Sequence, residues 1–261
     1  DLLSSGQSEV AWFANDGTEG SFTKHEVASS GSYHYDIVAV DADGDGDVDV
    51  VVASYNTGSV FLHLSDGSAS YTEQIVTSTA DGARGVSVAD LDGDGALDIL
   101  SASQKDDTVA WYANDGSWTE HIITTTAEGA NCAFALDVDG DGSVDVLSAS
   151  ANDATVALYL NDGDASRSFT EQIVTTEVNW ANTVFAIDMD NDGDIDVLST
   201  TPMSDDTVFV HYNSGDESFT TQIISSTVDG SVELKVSRPL RFEGYRAPFD
   251  SNSSTRVEGR L

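Results

Sequence analysis

The chain has 261 residues, 39% of them hydrophobic and only three of them proline, enough for a sizeable core in one large or two ordinary domains and unlike a disordered segment. Its 46 acidic residues against 10 basic ones give a formal charge of −36, which argues against nucleic acid and anionic membrane as partners, since both need a basic face. There is no run of about 18 apolar residues, so no membrane insertion is expected, and the single Cys132 allows no intrachain disulfide and reads as a buried, inert thiol.

Asp1-Leu2-Leu3-Ser4-Ser5 opens the chain and matches Asp98-Ile99-Leu100-Ser101-Ala102-Ser103. The sequence therefore starts in mid-repeat, just after an acidic loop that it does not contain. From there the pattern reads as short strands rich in β-branched and aromatic residues, with no helical period over a useful length. Strand C is predicted at Val10–Ala14, Val60–Leu64, Val109–Ala113, Val156–Leu160 and Val208–Tyr212. Strand D follows at Phe22–Val27, Tyr71–Val76, Trp118–Ile123, Phe169–Val174 and Phe219–Ile224. Asn15-Asp16-Gly17, Asn114-Asp115-Gly116 and Asn161-Asp162-Gly163 fall between C and D, and Asn or Asp before Gly is a hairpin signal. Strand A is predicted at Ile37–Val40, Val86–Ala89, Ala133–Leu136 and Val184–Ile187, and strand B at Val50–Ser54, Ile99–Ser103, Val146–Ser150 and Val197–Thr201. Small residues such as Ser101, Ala102, Ser148 and Ala149 suit a strand B at a crowded inner position where sheets converge.

An acidic nonapeptide joins each A to its B: DADGDGDVD at 41–49, DLDGDGALD at 90–98, DVDGDGSVD at 137–145 and DMDNDGDID at 188–196. Carboxylates stand at loop positions 1, 3, 5 and 9: Asp41, Asp43, Asp45 and Asp49; Asp90, Asp92, Asp94 and Asp98; Asp137, Asp139, Asp141 and Asp145; Asp188, Asp190, Asp192 and Asp196. Position 6 is glycine throughout, which permits the tight curl that turns alternate side chains inward. Position 7 (Asp47, Ala96, Ser143, Asp194) varies, as expected where only the backbone carbonyl is a ligand. Calcium takes six to eight hard oxygen ligands, and four loops of equal spacing predict four Ca2+ sites. Magnesium prefers a rigid octahedron and keeps its waters. Zinc is disfavoured by loops without His or Cys. The loops hold 18 of the 46 acidic residues, and the rest still leave −18, the mark of a strongly solvated surface in a salty or calcium-rich medium.

The last Asp of the loops falls at 49, 98, 145 and 196, and Asp1 lies on the same lattice. Four-stranded antiparallel units at this period predict an all-β fold, a β-propeller, over a solenoid of stacked units. The blades are expected at about 1–35, 36–83, 84–130, 131–181 and 182–230. Residues 231–236 align with an A strand, but Arg238 and Pro239 stand where the next loop would begin. In one reading this segment closes a five-bladed ring by supplying the first blade's missing strand. In the other the blades are a partial ring from a larger propeller. Residues 237–261 read as an irregular basic tail, with a sequon at Asn252-Ser253-Ser254.

The units V-x-V-A-D-L-D-G-D-G-x-L-D-I-L-S-A-S, D-D-T-V-A-W-Y-x-N-D-G and T-E-H-I-I-T-T resemble FG-GAP/VCBS-type repeats over roughly residues 1–230. The resemblance implies calcium-binding propellers like those of integrin α-subunits and secreted proteins, with each ion between strands A and B on one face of the disc. It implies an extracellular or cell-surface home. The literal Phe-Gly and Gly-Ala-Pro signatures are absent, which argues against an integrin-type adhesion role.

The sequence carries no G-x-S-x-G, H-E-x-x-H or Walker loop, and its five histidines do not cluster, so the reading is non-catalytic. His25 and His121 are equivalent positions in strand D, as are His63 and His211 in strand C. A binding module for a glycan or an extracellular protein is the first expectation, because repeated surfaces give avidity. Trp12, Trp111, Trp118 and above all Trp180, in the connection before an A strand, are candidates for stacking on sugars. The alternative is a structural or accessory domain of a larger secreted protein or enzyme, with calcium purely structural.

Overall fold

A computed structural model describes residues 1–226, apart from 16, 19, 29–32, 164–166, 203–206 and 216–217. The expected closing strand at 231–236, the basic tail and the sequon lie outside the described residues. Among the described residues nineteen strands form five antiparallel sheets. The first contains β1 (Leu2–Ser5), β2 (Val10–Asn15) and β3 (Phe22–Ala28). The second contains β4 (His34–Val40), β5 (Asp49–Ser54), β6 (Ser59–Ser65) and β7 (Tyr71–Thr77); the third, β8 (Ala83–Ala89), β9 (Asp98–Ser103), β10 (Thr108–Ala113) and β11 (Thr119–Thr124). The fourth contains β12 (Ala130–Leu136), β13 (Asp145–Ser150), β14 (Thr155–Asn161) and β15 (Phe169–Thr175); the fifth, β16 (Thr183–Ile187), β17 (Asp196–Thr200), β18 (Val208–Asn213) and β19 (Phe219–Ser225). Within each sheet the strands pair in chain order, so every sheet is a meander of consecutive hairpins.

Successive side chains on a strand point to opposite faces, and both faces of each middle sheet are covered. On β5, Val51 and Ala53 join Val86, Ile99, Ala110 and Tyr112 of the third sheet, whereas Val50 and Val52 join Val10 and Ala28 of the first. On β9, Leu100 and Ala102 pack with Ala133, Val146, Ala157 and Tyr159 of the fourth sheet. On β13, Leu147 and Ala149 pack with Val184, Ala186 and Val197 of the fifth. The second strand of each four-stranded sheet is therefore buried along its length, and each Val or Leu so enclosed contributes about 1.5–3 kcal/mol. Face-to-face sheets of this kind are the blades of a β-propeller.

The crowded inner position belongs to strand A, not strand B. Consecutive A strands β4, β8, β12 and β16 pack against one another. A Cβ on Gly85 would stand 3.0 Å from the backbone of Asn131 and Cys132, so β8 and β12 approach as closely as a glycine allows. The small residues of strand B instead leave room for a ring from the adjacent strand C of the same sheet: Ser101 Oγ lies 3.4 Å from the buried Tyr112 hydroxyl, and Ser148 repeats the contact with Tyr159.

In the second, third and fourth sheets strand A begins three residues before the sequence pattern indicates, and in the fifth one residue before. Its pairing shifts between His34 and Asp36, Ala83 and Gly85, and Ala130 and Cys132, so a bulge hides the alternation there. Strand D of the third sheet begins at Thr119 because Trp118 has a left-handed φ of 55° and closes the preceding turn.

Candidate metal centres

Each acidic loop is shaped by its own carboxylates. In the first, Asp41 Oδ1 accepts from Gly44 N at 2.9 Å and Oδ2 from Gly46 N at 3.1 Å. Asp43 accepts from Asp45 N at 3.1 Å and Asp45 from Asp47 N at 2.8 Å. The second and third loops repeat these bonds. Position 6 has φ of 93–103° in the four loops, the left-handed region expected for it. Position 4 is left-handed as well, at Gly44, Gly93, Gly140 and Asn191, and this the sequence reading missed. The signal was the Gly, Gly, Gly, Asn series at that position.

Carboxylate oxygens within 4.8 Å of one another gather from Asp41, Asp43 and Asp45; Asp90, Asp92 and Asp94; Asp137, Asp139 and Asp145; and Asp188, Asp190 and Asp196. Three hard anionic oxygens so close repel one another unless a cation lies among them, and the donor set suits Ca2+. In the fourth loop Asp188 Oδ1 is buried and accepts no hydrogen bond, an orphan that a cation would satisfy. Asp141 and Asp192, both position 5, fall outside the triads of their loops. At position 7, a Cβ on Gly67 would stand 2.6 Å from Asp47 Oδ2, one on Gly163 2.5 Å from Ser143 Oγ, and one on Gly215 2.6 Å from Asp194 Oδ2. These side chains turn toward the hairpin between strands C and D, and the backbone carbonyl is left as the group position 7 can offer, as Ala96 requires.

Position 9 is the first residue of strand B and almost wholly buried. Asp49, Asp98, Asp145 and Asp196 each accept from two backbone N–H groups. One belongs to position 2 (Ala42, Leu91, Val138, Met189) and the other to the end of strand C (Ser65, Asn114, Asn161, Asn213), all at 2.8–2.9 Å. One carboxylate thus fastens the loop to two strands. Burial pushes Asp98 up to about 6 and Asp145 up to about 7, against those hydrogen bonds. Asn15 N donates to Asp1 Oδ1 at 2.8 Å, the same bond from the end of strand C, so Asp1 takes the position-9 role in the first sheet.

Neighbouring repeats touch at these loops. Asn114 Nδ2 donates to Ala42 O at 3.3 Å and Asn161 Nδ2 to Leu91 O at 3.0 Å, each reaching the previous sheet's loop. Arg167 pairs with Asp92 at 2.7 Å, contacts His121 Nε2 at 3.0 Å and lies 5.5 Å from the Trp111 ring.

The histidines are occupied locally. His25 stacks on Trp12 and His121 on Trp111, each its partner across the strand pair. His211 is buried between Ser199 Oγ at 2.8 Å and Thr221 Oγ1 at 2.9 Å, and burial brings it and His63 down to about 4. The Cys132 thiol faces Val184 O at 3.9 Å, and burial raises it to about 12. Of the stacking candidates, Trp111 is buried and unavailable, Trp12 is half-buried, Trp118 packs against the core, and Trp180 is 62% exposed.

Residues 1–52, 41–101, 91–148 and 137–199 each match the FG-GAP-like repeat. The chain belongs to the FG-GAP-like repeat family. The last three matches start at Asp41, Leu91 and Asp137, the first or second residue of an acidic loop, so the family's repeat and the lattice coincide. No curated protein matches the sequence. Among solved structures, the V. cholerae biofilm matrix protein Bap1 is similar at 19% identity and a TM-score of 0.51, over 87% of this chain and 37% of that one. An Agrocybe aegerita lectin, described as recognising non-reducing terminal N-acetylglucosamine, is similar at 16% identity and a TM-score of 0.41, over 87% of this chain and 77% of that one. The chain thus spans little more than a third of Bap1, and the likeness is one of fold.

Proposed function

We propose that this FG-GAP-like propeller is an extracellular, non-catalytic binding module for a glycan, held in its working shape by four Ca2+ ions. The observation that carries the metal reading is the repeated gathering of three carboxylates in each acidic loop. The side chains at positions 1, 3, 5 and 9 would hold the ion together with the position-7 carbonyl: Asp41, Asp43, Asp45, Asp47 and Asp49; Asp90, Asp92, Asp94, Ala96 and Asp98; Asp137, Asp139, Asp141, Ser143 and Asp145; Asp188, Asp190, Asp192, Asp194 and Asp196. Bound calcium supplies charge neutralisation, and the loops then fix where strands A, B and C meet. The carboxylates are spent on this, which leaves recognition to other surfaces. Exposed aromatic side chains, Trp180 foremost, supply faces on which sugar rings stack. Bap1 offers a precedent for this fold in a matrix.

A structural or accessory role is the second reading. It is favoured by the buried position-9 carboxylates, which fasten the loop to strands B and C through backbone hydrogen bonds and need no outside partner to be useful. An array of glycans and matrix proteins, probed with the chain in calcium and again in chelator, separates the two. Calcium-dependent binding to one glycan class supports the first reading. No binding by calcium-loaded, folded protein overturns it in favour of the second.

A further inference from the structure

The acidic loops lie where strand A passes to strand B. At the opposite end of the sheets, the D-to-A connections and B-to-C turns form a second face with different chemistry. The bulged residue of strand A there is Tyr35, Arg84 or Asn131, and Asn182 stands in its place before β16. Two residues earlier stand Tyr33, Gly82, Gly129 and Trp180, all with left-handed φ of 52°, 74°, 71° and 59°. Glycine is the natural occupant of such a backbone. Two repeats keep it, and the other two carry a large ring that remains 44% (Tyr33) and 62% (Trp180) exposed. Burial does not repay the strained backbone at either ring, and strain held by exposed rings points to use. The loops keep the same carboxylates at positions 1, 3, 5 and 9 in every repeat, whereas this face differs in every copy, as a single asymmetric ligand would require.

The face is also organised. Lys105 Nζ lies 4.3 Å from the Tyr55 ring centroid, Tyr55 lies 5.1 Å from Tyr35, and Arg84 Cζ lies 5.2 Å from Tyr35. Arg84 Nη2 then donates to Asn182 Oδ1 at 3.1 Å, so a row of cation, ring, ring, cation and amide joins the second, third and fifth sheets. Beneath it Tyr55 Oη donates to Gln104 Oε1, Gln104 Nε2 to Asn131 Oδ1 and Asn131 Nδ2 to Ala181 O, at 2.8–2.9 Å, which locks the row in place. Among the described residues Lys24, Lys105 and Arg167 each pair with a carboxylate and Arg84 does not. A guanidinium has five donors in a planar fork that fits a carboxylate, and only one of its bonds is made here.

We propose that this face binds an acidic sugar: the carboxylate of a uronic acid residue docks on Arg84, and the sugar rings lie on Tyr35, Tyr33 and Trp180. The proposal rests on the glycan-binding reading and names its ligand class. The chain's negative charge opposes it only over a Debye length of about 8 Å in physiological salt.

The test is calorimetric titration of the calcium-loaded full chain with hexagalacturonate, too short to gel, and with neutral cellohexaose. Hexagalacturonate is expected to bind at least tenfold more tightly. Arg84→Met should abolish that preference with the melting temperature unchanged. Trp180→Gly should raise the melting temperature, by relieving the backbone, while weakening hexagalacturonate binding at least fivefold. A purely structural role predicts no loss of binding in either variant, and that result overturns the site. Equal binding of both saccharides, indifferent to Arg84, overturns the acidic-sugar assignment and leaves the glycan reading standing. No binding of either, by protein that also binds nothing on a glycan array, overturns both.

Discussion

The close approach of the A strands can be tested at one atom. Gly85 lies in β8, and a Cβ there would sit 3.0 Å from Asn131 O and Cys132 Cα and 3.4 Å from Ala133 N. All three are backbone, so no side chain can swing aside. Two effects compete in Gly85→Ala. Glycine in a strand costs about 0.5–1 kcal/mol against alanine, which favours the substitution. Forcing a methyl into a packed contact costs about 1–3 kcal/mol, which opposes it. The packing effect wins, and the variant is expected to lose about 1–2 kcal/mol. At roughly 2–4 °C per kcal/mol for a domain of this size, that is a fall of about 2–8 °C in melting temperature. Gly6→Ala is the control, because its Cβ would meet nothing nearer than Glu9 O at 3.8 Å and it should be neutral or slightly stabilising. Urea unfolding of both variants in calcium measures the difference. A Gly85→Ala midpoint above the parent's would refute the convergence of β8 and β12.

Three further expectations follow from the loops. Asp92→Ala should remove one of four calcium equivalents by calorimetric titration, whereas Asp47→Ala, whose side chain faces Gly67, should keep all four. Arg167 holds a cation 2.7 Å from Asp92, so Arg167→Ala should tighten calcium binding at the 90–98 loop; a partly exposed pair is worth about 0.2–1 kcal/mol, hence up to about fivefold. Calcium-free protein should show an unusual pH profile. Burial raises Asp98 to about 6 and Asp145 to about 7 from an ordinary 3.8, so the native state binds extra protons and gains stability as pH falls from about 7 to about 4. His63 and His211, lowered from 6.5 to about 4, bind fewer protons than the unfolded chain and withdraw stability as pH falls below 6.5. Scanning calorimetry without calcium should therefore find the melting temperature held between about pH 7 and 4, where the two carboxylates offset the two imidazoles, and a steady fall across that window would contradict the carboxylate burials.

The repeat lattice and the acidic loops were legible in the sequence because both rest on spacing. Positions 1, 3 and 5 can converge only in a tight curl, and the glycine at position 6 announces it. The second face was not legible, because a backbone's sign of φ leaves no trace at Tyr33 or Trp180. Only their alignment with Gly82 and Gly129 marks it. The bulges at Tyr35, Arg84 and Asn131 broke the alternation that reveals a strand, so strand A looked three residues too short. Position 9 was read as one more loop ligand, yet its two backbone hydrogen bonds come from residues seven before and sixteen or seventeen after it, contacts that only the folded sheet brings together. Trp12 and Trp111 look equivalent in sequence but differ in exposure, because the third sheet is covered on both faces where Trp111 lies.

The melting temperature in 1 mM calcium and in chelator tests the account at its centre. With a dissociation constant of about 0.1 mM each site would add about 1.4 kcal/mol, and four sites roughly 6 kcal/mol. That is comparable with a whole domain's net stability. It corresponds to a rise of roughly 12–24 °C on adding calcium. Equal melting temperatures in the two buffers would contradict it and leave the four acidic loops as solvated turns.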